Sequence, residues 1–211
     1  MKRLTCRALL MGCLIFLTYA LLWAVPVKPH VVYASIYDKH ERLAAIDSSR
    51  LIFVGGSGIA LGLDSELVEA ETDFAVINMG VNAGFGLRYM LDEVTPMLGS
   101  GDVVVIAPEY EYFYGSSVDG SQNLLWALQI RGRDLFRHIG LSRGQFVNVV
   151  QELPHFMQAR FMELLSSRQD PIYNRWAFNE RGDFVKHLEL PSVQIWPSSI
   201  SQGNLLSLIH I

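Results

Sequence analysis

Cysteine is scarce. The chain has two, Cys6 and Cys13, both at or inside the first apolar segment, so nothing downstream supplies a disulfide framework or a thiolate metal site. Lysine is missing between Lys39 and Lys186, which denies every glycine turn in that interval the Gly-Lys-Ser/Thr of a phosphate-cradling loop. Basic charge is short as well. Seventeen lysines and arginines against 21 acids give a formal net charge of −4 and a pI of about 5.8, no footprint for nucleic acid. The chain has no internal repeat and no low-complexity tract, and no residue pattern calls for a metal or a cofactor. What is abundant is apolar. Hydrophobic residues make up 50% of the 211, with a mean hydropathy of +0.24, which fits one α/β domain plus a membrane segment better than a wholly soluble protein.

Lys2, Arg3 and Arg7 precede an uncharged run over residues 8–25, close to the shortest length that spans a bilayer. A cleaved secretory signal is the alternative. The run is long for one, however, and ends Trp23-Ala24-Val25-Pro26, a poor cleavage site. Leu10-Met11-Gly12-Cys13 resembles a lipobox only superficially, because most of the apolar run follows that cysteine. Positive residues ahead of the span predict a cytoplasmic N-terminus at 1–7, a single transmembrane anchor at 8–25, and a main domain on the periplasmic or extracellular side of the cell membrane.

Residues 26–50 read as a juxtamembrane linker with a short helix at 35–46. Next comes the stretch on which the domain turns, Leu51-Ile52-Phe53-Val54-Gly55-Gly56-Ser57-Gly58: a buried strand, a tight glycine turn presenting one serine, and a helix start. A helix follows at 64–71 with Leu63, Leu67 and Val68 on its buried face. A second strand lies at 74–79, with a glycine-rich loop, Gly80-Val81-Asn82-Ala83-Gly84-Phe85-Gly86, behind it. A helix at 87–98 and a third strand at 103–107 complete a parallel βαβαβ core. The third strand is a continuous β-branched run, the pattern of a strand covered on both faces. Helices are expected at 123–130, 133–139 and 145–165, the last interrupted by Pro154. Trp126, Leu128, Phe136, Phe146, Phe156, Phe161 and Met162 are read as packing residues, and Tyr110, Tyr112, Phe113 and Tyr114 as a packed loop rather than a platform for a sugar. A doubly wound sheet usually has about five strands, and three are legible. The domain at 51–205 is therefore expected to be cut short, with 206–211 a non-native tail.

A glycine turn after a first strand also signals nucleotide binding. Dinucleotide binding needs G-x-G-x-x-G and an acid closing the second strand. Gly56-Ser57-Gly58 with Gly62 is one residue too long, and the second strand ends Ile77-Asn78-Met79. Acyl chemistry fits better, because small neighbours let a serine hydroxyl and free backbone N–H groups approach a carbonyl. The spacing is not that of the G-x-S-x-G elbow. Gly55-Gly56-Ser57 instead resembles the first block, Gly-Asp-Ser, of the SGNH (GDSL) hydrolase superfamily, with glycine in place of the family's acid. Its membrane-anchored branch, which includes DltD-type proteins and polysaccharide O-acetyltransferases and esterases, is the most similar.

The resemblance covers roughly residues 50–115 and the anchor. It implies a flavodoxin-like α/β fold, a parallel sheet with flanking helices, incomplete at the C-terminus and preceded by one transmembrane helix. It implies Ser57 as nucleophile and an oxyanion hole built from its own N–H with Gly84, or else Gly80. It also implies an acylated glycan or an acyl donor protein as partner, and neither nucleotide nor nucleic acid. The family's Asn at the end of the third strand is absent, leaving Asn82, Glu109 and Tyr110 as candidate site-lining residues; Glu109 and Glu111, alternating along an extended chain, point apart. The family's Asp-x-x-His block is also absent, since Asp183 and His187 are four residues apart rather than three. The expectation is a serine esterase or O-acyltransferase of envelope or exported glycan that is inactive in this form. A non-catalytic glycan-binding or envelope-assembly relative is the alternative.

Overall fold

The computed structural model describes residues 2–115, 117–138, 140–166 and 169–189; residues 206–211, and the side chain of Phe136, lie outside the described set. Helix α1 (Lys2–Ala24) is long enough and apolar enough to cross a membrane. Its residues 3–18 are all exposed, whereas Tyr19, Leu22 and Trp23 pack against the core. Helix α2 (Ser35–Ala45) forms as expected and buries Leu43, but Lys39, expected in solvent with Asp38, Glu41 and Arg42, is buried, and Ala44, expected on the apolar side, is exposed.

Three strands form one parallel sheet in the order β2-β1-β3, with β1 (Arg50–Gly55) central, β2 (Ala75–Asn78) on one side and β3 (Val103–Ala107) on the other. Ile52 pairs with Ile77 and with Val104, which sets the register. Ile52 and Ile77 are completely buried; each aliphatic side chain hidden this way is worth about 1.5–3 kcal/mol. Arg50 fixes the entrance of the sheet. Its guanidinium is ion-paired with Asp102 and donates to the carbonyls of Leu43 and Met97. That hydrogen-bonded pairing holds the Asp102 carboxyl down at about 2.

Between β1 and β2 run α3 (Ser57–Gly62) and α4 (Ser65–Ala70), with Asp64 capping α4 by accepting from Leu67 N–H at 3.0 Å. Leu67 is exposed, contrary to its expected place on the buried face; the cap and the buried Ser65 turn it outward. Helix α5 (Leu87–Val94) buries Tyr89, Met90 and Val94 and gives way to a 3-10 turn at Thr95–Met97, because Pro96 cannot continue an α-helical ladder.

Two expectations about strand and helix burial fail. Among the described residues β3 is an edge strand, and Val103, Val105 and Ile106 are exposed instead of covered on both faces. A β-branched run reports strand propensity, not the presence of a neighbour. Helix α7 (Arg143–Leu165) runs through Pro154 without a break; the proline is exposed, so the carbonyl it leaves unpaired can be solvated. The preceding helix, α6 (Gln122–His138), bends at Gly132 with φ 55°, which accounts for the two helices expected there. Trp126, Leu128 and Phe156 pack as predicted, but Phe146, Phe161 and Met162 stand exposed.

Candidate functional site

The carboxyl ends of the three strands carry the loops that meet around Ser57. β1 runs through Gly55 and Gly56 into α3, of which Ser57 is the first residue. At Gly56 a side chain would strike the Glu109 carboxylate and lie 3.0 Å from Ala83. Glycine is required here for close approach: the loops after β2 and β3 both press on this backbone. The carboxylate that crowds Gly56 comes from the end of β3. Glu109 is half-buried, and its carboxylate makes no hydrogen bond or ion pair among the described residues.

Ser57 is exposed, and its hydroxyl has no hydrogen-bond partner among the described residues. As the first residue of a helix, its N–H has no acceptor within that helix. The side chain borders a cavity of about 270 Å³ whose walls include Tyr33, Val81, Tyr173, Phe178 and Phe184, with Asn82 as the other polar group beside Ser57 and Tyr33. A mainly apolar pocket with a few convergent polar groups is the usual form of a small-molecule site.

Asn82 is held by a short chain of bonds. Its Oδ1 accepts from Gly84 N–H at 2.8 Å and from Asn123 Nδ2 at 2.9 Å, and Asn123 Oδ1 accepts from the Tyr33 hydroxyl at 3.1 Å. The Gly84 amide fixes which end of the carboxamide is oxygen. Asn82 Nδ2 is thereby left as a donor with no partner among the described residues. Burial raises the Tyr33 pKa and keeps it a neutral donor.

The two glycines expected to donate to an oxyanion are both occupied. Gly84 N–H serves Asn82, and Gly80 N–H donates to Asn78 Oδ1 at 2.9 Å, with Gly80 packed under Ile59 and Ala60 of α3. Gly84 also borders a different cleft, a polar one of about 290 Å³ that it shares with Glu111, Ser121, Asn148 and Gln151. The structure therefore brings Ser57 and Asn82 to one pocket and sets Glu109 against the neighbouring Gly56, while Glu109 and Tyr110 do not line that pocket and the amides of Gly80 and Gly84 are spent elsewhere. Glu109 and Glu111 do not alternate along an extended chain as expected: Glu109 precedes a 3-10 turn, Tyr110–Phe113, and Glu111, within it, lines the second cleft.

That turn buries Tyr112, whose hydroxyl donates to Ala83 O at 2.6 Å. Burial, then the charges of Glu109 and Glu111, push its pKa well up, so it remains protonated. Tyr110, Phe113 and Tyr114 are exposed, against the expected packed loop, and the Tyr110 and Tyr114 rings pair at 5.2 Å with their hydroxyls 3.1 Å apart.

Asp183 and His187 do not form a dyad. The Asp183 carboxylate is buried and saturated by the Ser65 hydroxyl (2.6 Å) and N–H (3.0 Å), Asn78 Nδ2 (2.8 Å) and Asn179 Nδ2 (3.2 Å). It ties the 179–184 segment to α4 and to the end of β2. His187 instead stacks on Phe184 at 5.6 Å, and its buried Nδ1 has no partner. The sequence reading missed Tyr33, Tyr173, Phe178 and Phe184 as pocket walls; their only signal was aromatic residues in a turn-rich segment, without periodicity. Among the described residues no group of three or more His, Cys, Asp or Glu side chains converges as a metal site. Neither a family model, a curated protein nor a solved structure matches the chain.

Proposed function

We propose that the chain is a membrane-anchored, extracytoplasmic serine enzyme of the SGNH type that accepts an acyl group from an ester on envelope or exported glycan, as an esterase or an O-acyltransferase. The single observation that carries this reading is the free Ser57 hydroxyl at the mouth of an apolar pocket, at the carboxyl edge of a parallel sheet, with an uncommitted amide donor from Asn82 beside it. The strand order β2-β1-β3 is the one with which flavodoxin-like sheets begin. The exposed Tyr110–Tyr114 pair offers flat, amphipathic surface of the kind that packs against sugar rings.

In this scheme Ser57 Oγ attacks the carbonyl carbon of the ester. The oxyanion is received by the Ser57 N–H and Asn82 Nδ2. Collapse breaks the bond to the glycan oxygen, which leaves as an alcohol carrying the proton that the serine gives up, and the acyl group stays on Ser57. Water then releases it as a carboxylic acid, or a glycan hydroxyl takes it as a new ester. No imidazole among the described residues is bonded to Ser57, so this form is expected to lack sustained turnover: an activated ester acylates the serine slowly, and hydrolysis of the acyl-serine is slower still. Mixing the detergent-solubilised protein with p-nitrophenyl acetate is expected to release about one equivalent of nitrophenol per chain, followed by little turnover, the signature of a covalent intermediate. Ser57→Ala is expected to remove the burst. A burst that survives Ser57→Ala refutes the assignment.

The absence of a base on Ser57 among the described residues and the occupied amides of Gly80 and Gly84 favour one second reading, a non-catalytic glycan-binding or envelope-assembly protein. That reading predicts no burst, together with retention on acylated polysaccharide that Ser57→Ala leaves unchanged.

A further inference from the structure

Helix α7 is apolar on two faces. One, with Phe156 and Met157 buried and Val149 and Leu153 packed beside them, belongs to the core. The other carries Phe146, Val147 and Val150 near one end and Phe161, Met162 and Leu165 near the other, all between 42 and 68% exposed. Both triplets have i, i+1, i+4 spacing, and the 15 residues from Phe146 to Phe161 advance four turns and about 60°. They form a stripe about 28 Å long that winds by that angle around the helix, with the exposed Pro154 and Gln158 between them. An amphipathic surface helix turns charge outward; this one turns out a second hydrophobic face.

What covers that face follows from how α7 is tied to α1. Trp23, on the last turn of α1, packs on Phe156 at 5.8 Å. Arg160, fully buried, donates to Val25 O at 2.8 Å. Lys28 Nζ donates to Glu163 O and Ser166 O, each at 2.6 Å. From α6, Gln129 Nε2 donates to Trp23 O at 2.9 Å and Val25 O at 3.1 Å. The exit of the membrane helix is thus bonded to α7 over residues 156–166, and the depth at which α1 ends sets the depth of α7. With Trp23 at the level where indoles prefer to sit, the boundary between headgroups and acyl chains, the 156–166 end of α7 is held close to the bilayer surface.

The geometry points to a membrane-resting role for α7: its outer apolar stripe is embedded in the lipid interface of the same bilayer that α1 crosses, which holds the domain down and fixes its orientation. The inference rests on α1 being a retained anchor and is independent of Ser57. Charge contributes little to it, since α7 carries two arginines, Arg143 and Arg160, against two glutamates, Glu152 and Glu163. Apolar area does the binding, and zwitterionic lipid suffices.

The test uses the full chain with Cys6 and Cys13 replaced by serine, carrying a single new cysteine from Val150→Cys, Phe161→Cys or, as an exposed control on α2, Glu41→Cys. Each is labelled with an environment-sensitive fluorophore and reconstituted, one copy per disc, in phosphatidylcholine nanodiscs containing nitroxide-labelled lipid. Labels at 150 and 161 are expected to be blue-shifted and quenched several-fold more than the label at 41, with no dependence on salt. Equal quenching at all three positions overturns the inference. A blue shift without quenching assigns the stripe to a protein contact and overturns it too. A chain that fails to co-elute with the discs removes the anchor and the inference together. None of these readouts requires catalysis, so the assignment of Ser57 stands or falls separately.

Discussion

Gly56 and Glu109 show how a single residue's size decides what the site contains. A side chain at 56 would drive into the Glu109 carboxylate and Ala83, so Gly56→Ala is expected to cost about 1–3 kcal/mol in denaturant unfolding. Glu109→Ala in the same chain is expected to recover part of it. Equal costs with and without Glu109 would show that the two do not touch. The pairing was not legible in sequence: Gly56 was readable as a departure from a family pattern, but 53 positions separate it from the acid that crowds it, and such juxtapositions come from folding. Lys39 is a second case. It is buried, donates to Asn78 O at 2.7 Å and to Gly182 O, and lies 4.5 Å from the centre of the Phe178 ring. Burial lowers its pKa to about 7, against the opposing pull of Asp183 and Asp38. In the unfolded chain a lysine titrates near about 10.4. Between these values the unfolded state holds the extra proton, so this group makes stability rise with pH. The denaturation midpoint is expected to climb from neutral to alkaline pH, and Lys39→Met to lose that component. An identical slope in the variant would contradict the burial argument.

Elements were more legible than their surroundings. All three strands and helices α2 and α5 declared themselves through local apolar runs and periodicity, which is information carried within a few residues. Burial was not local. The run at 103–107 fits a central strand and an edge strand equally, and the choice depends on neighbours the run does not encode. Pro154 was read as a break because proline removes one ladder bond; in a helix of 23 residues fixed at both ends the remaining bonds carry the geometry. One of those ends is the capping box at Ser142, whose hydroxyl accepts from Gln145 N–H at 3.1 Å while Gln145 Oε1 accepts from Ser142 N–H at 2.9 Å. Ser142→Ala is expected to lower stability by about 1 kcal/mol in urea unfolding, and no change would mean that α7 does not depend on its first turn.

At the scale of the whole molecule, α1 and the domain form one structure instead of a leash and a globule. Arg160 is the keystone of the joint, bonded to Val25 O, ion-paired with Glu163 and set 5.4 Å from the Trp126 ring. Arg160→Met is expected to cost about 3 kcal/mol by leaving Glu163 and the exit carbonyls uncompensated, and to speed proteolysis across residues 25–30. Unchanged cleavage there would detach the anchor from the fold. The site, by contrast, was only half legible. Ser57 and its turn could be read from residues 51–58, and Asn82 could be named as a lining residue, whereas Glu109 and Tyr110, named with it, do not line the pocket. The donor role of Asn82 and the aromatic walls from the 173–184 segment depend on contacts far apart in the chain. The claim that joins these scales is that Ser57 is a nucleophile. Its most direct test is to treat the bilayer-reconstituted protein with a fluorophosphonate probe and map the adduct by peptide mass spectrometry. The account predicts a single adduct on Ser57, absent in Ser57→Ala and diminished in Asn82→Ala; an unmodified Ser57, or an adduct on another residue that persists in Ser57→Ala, would contradict it.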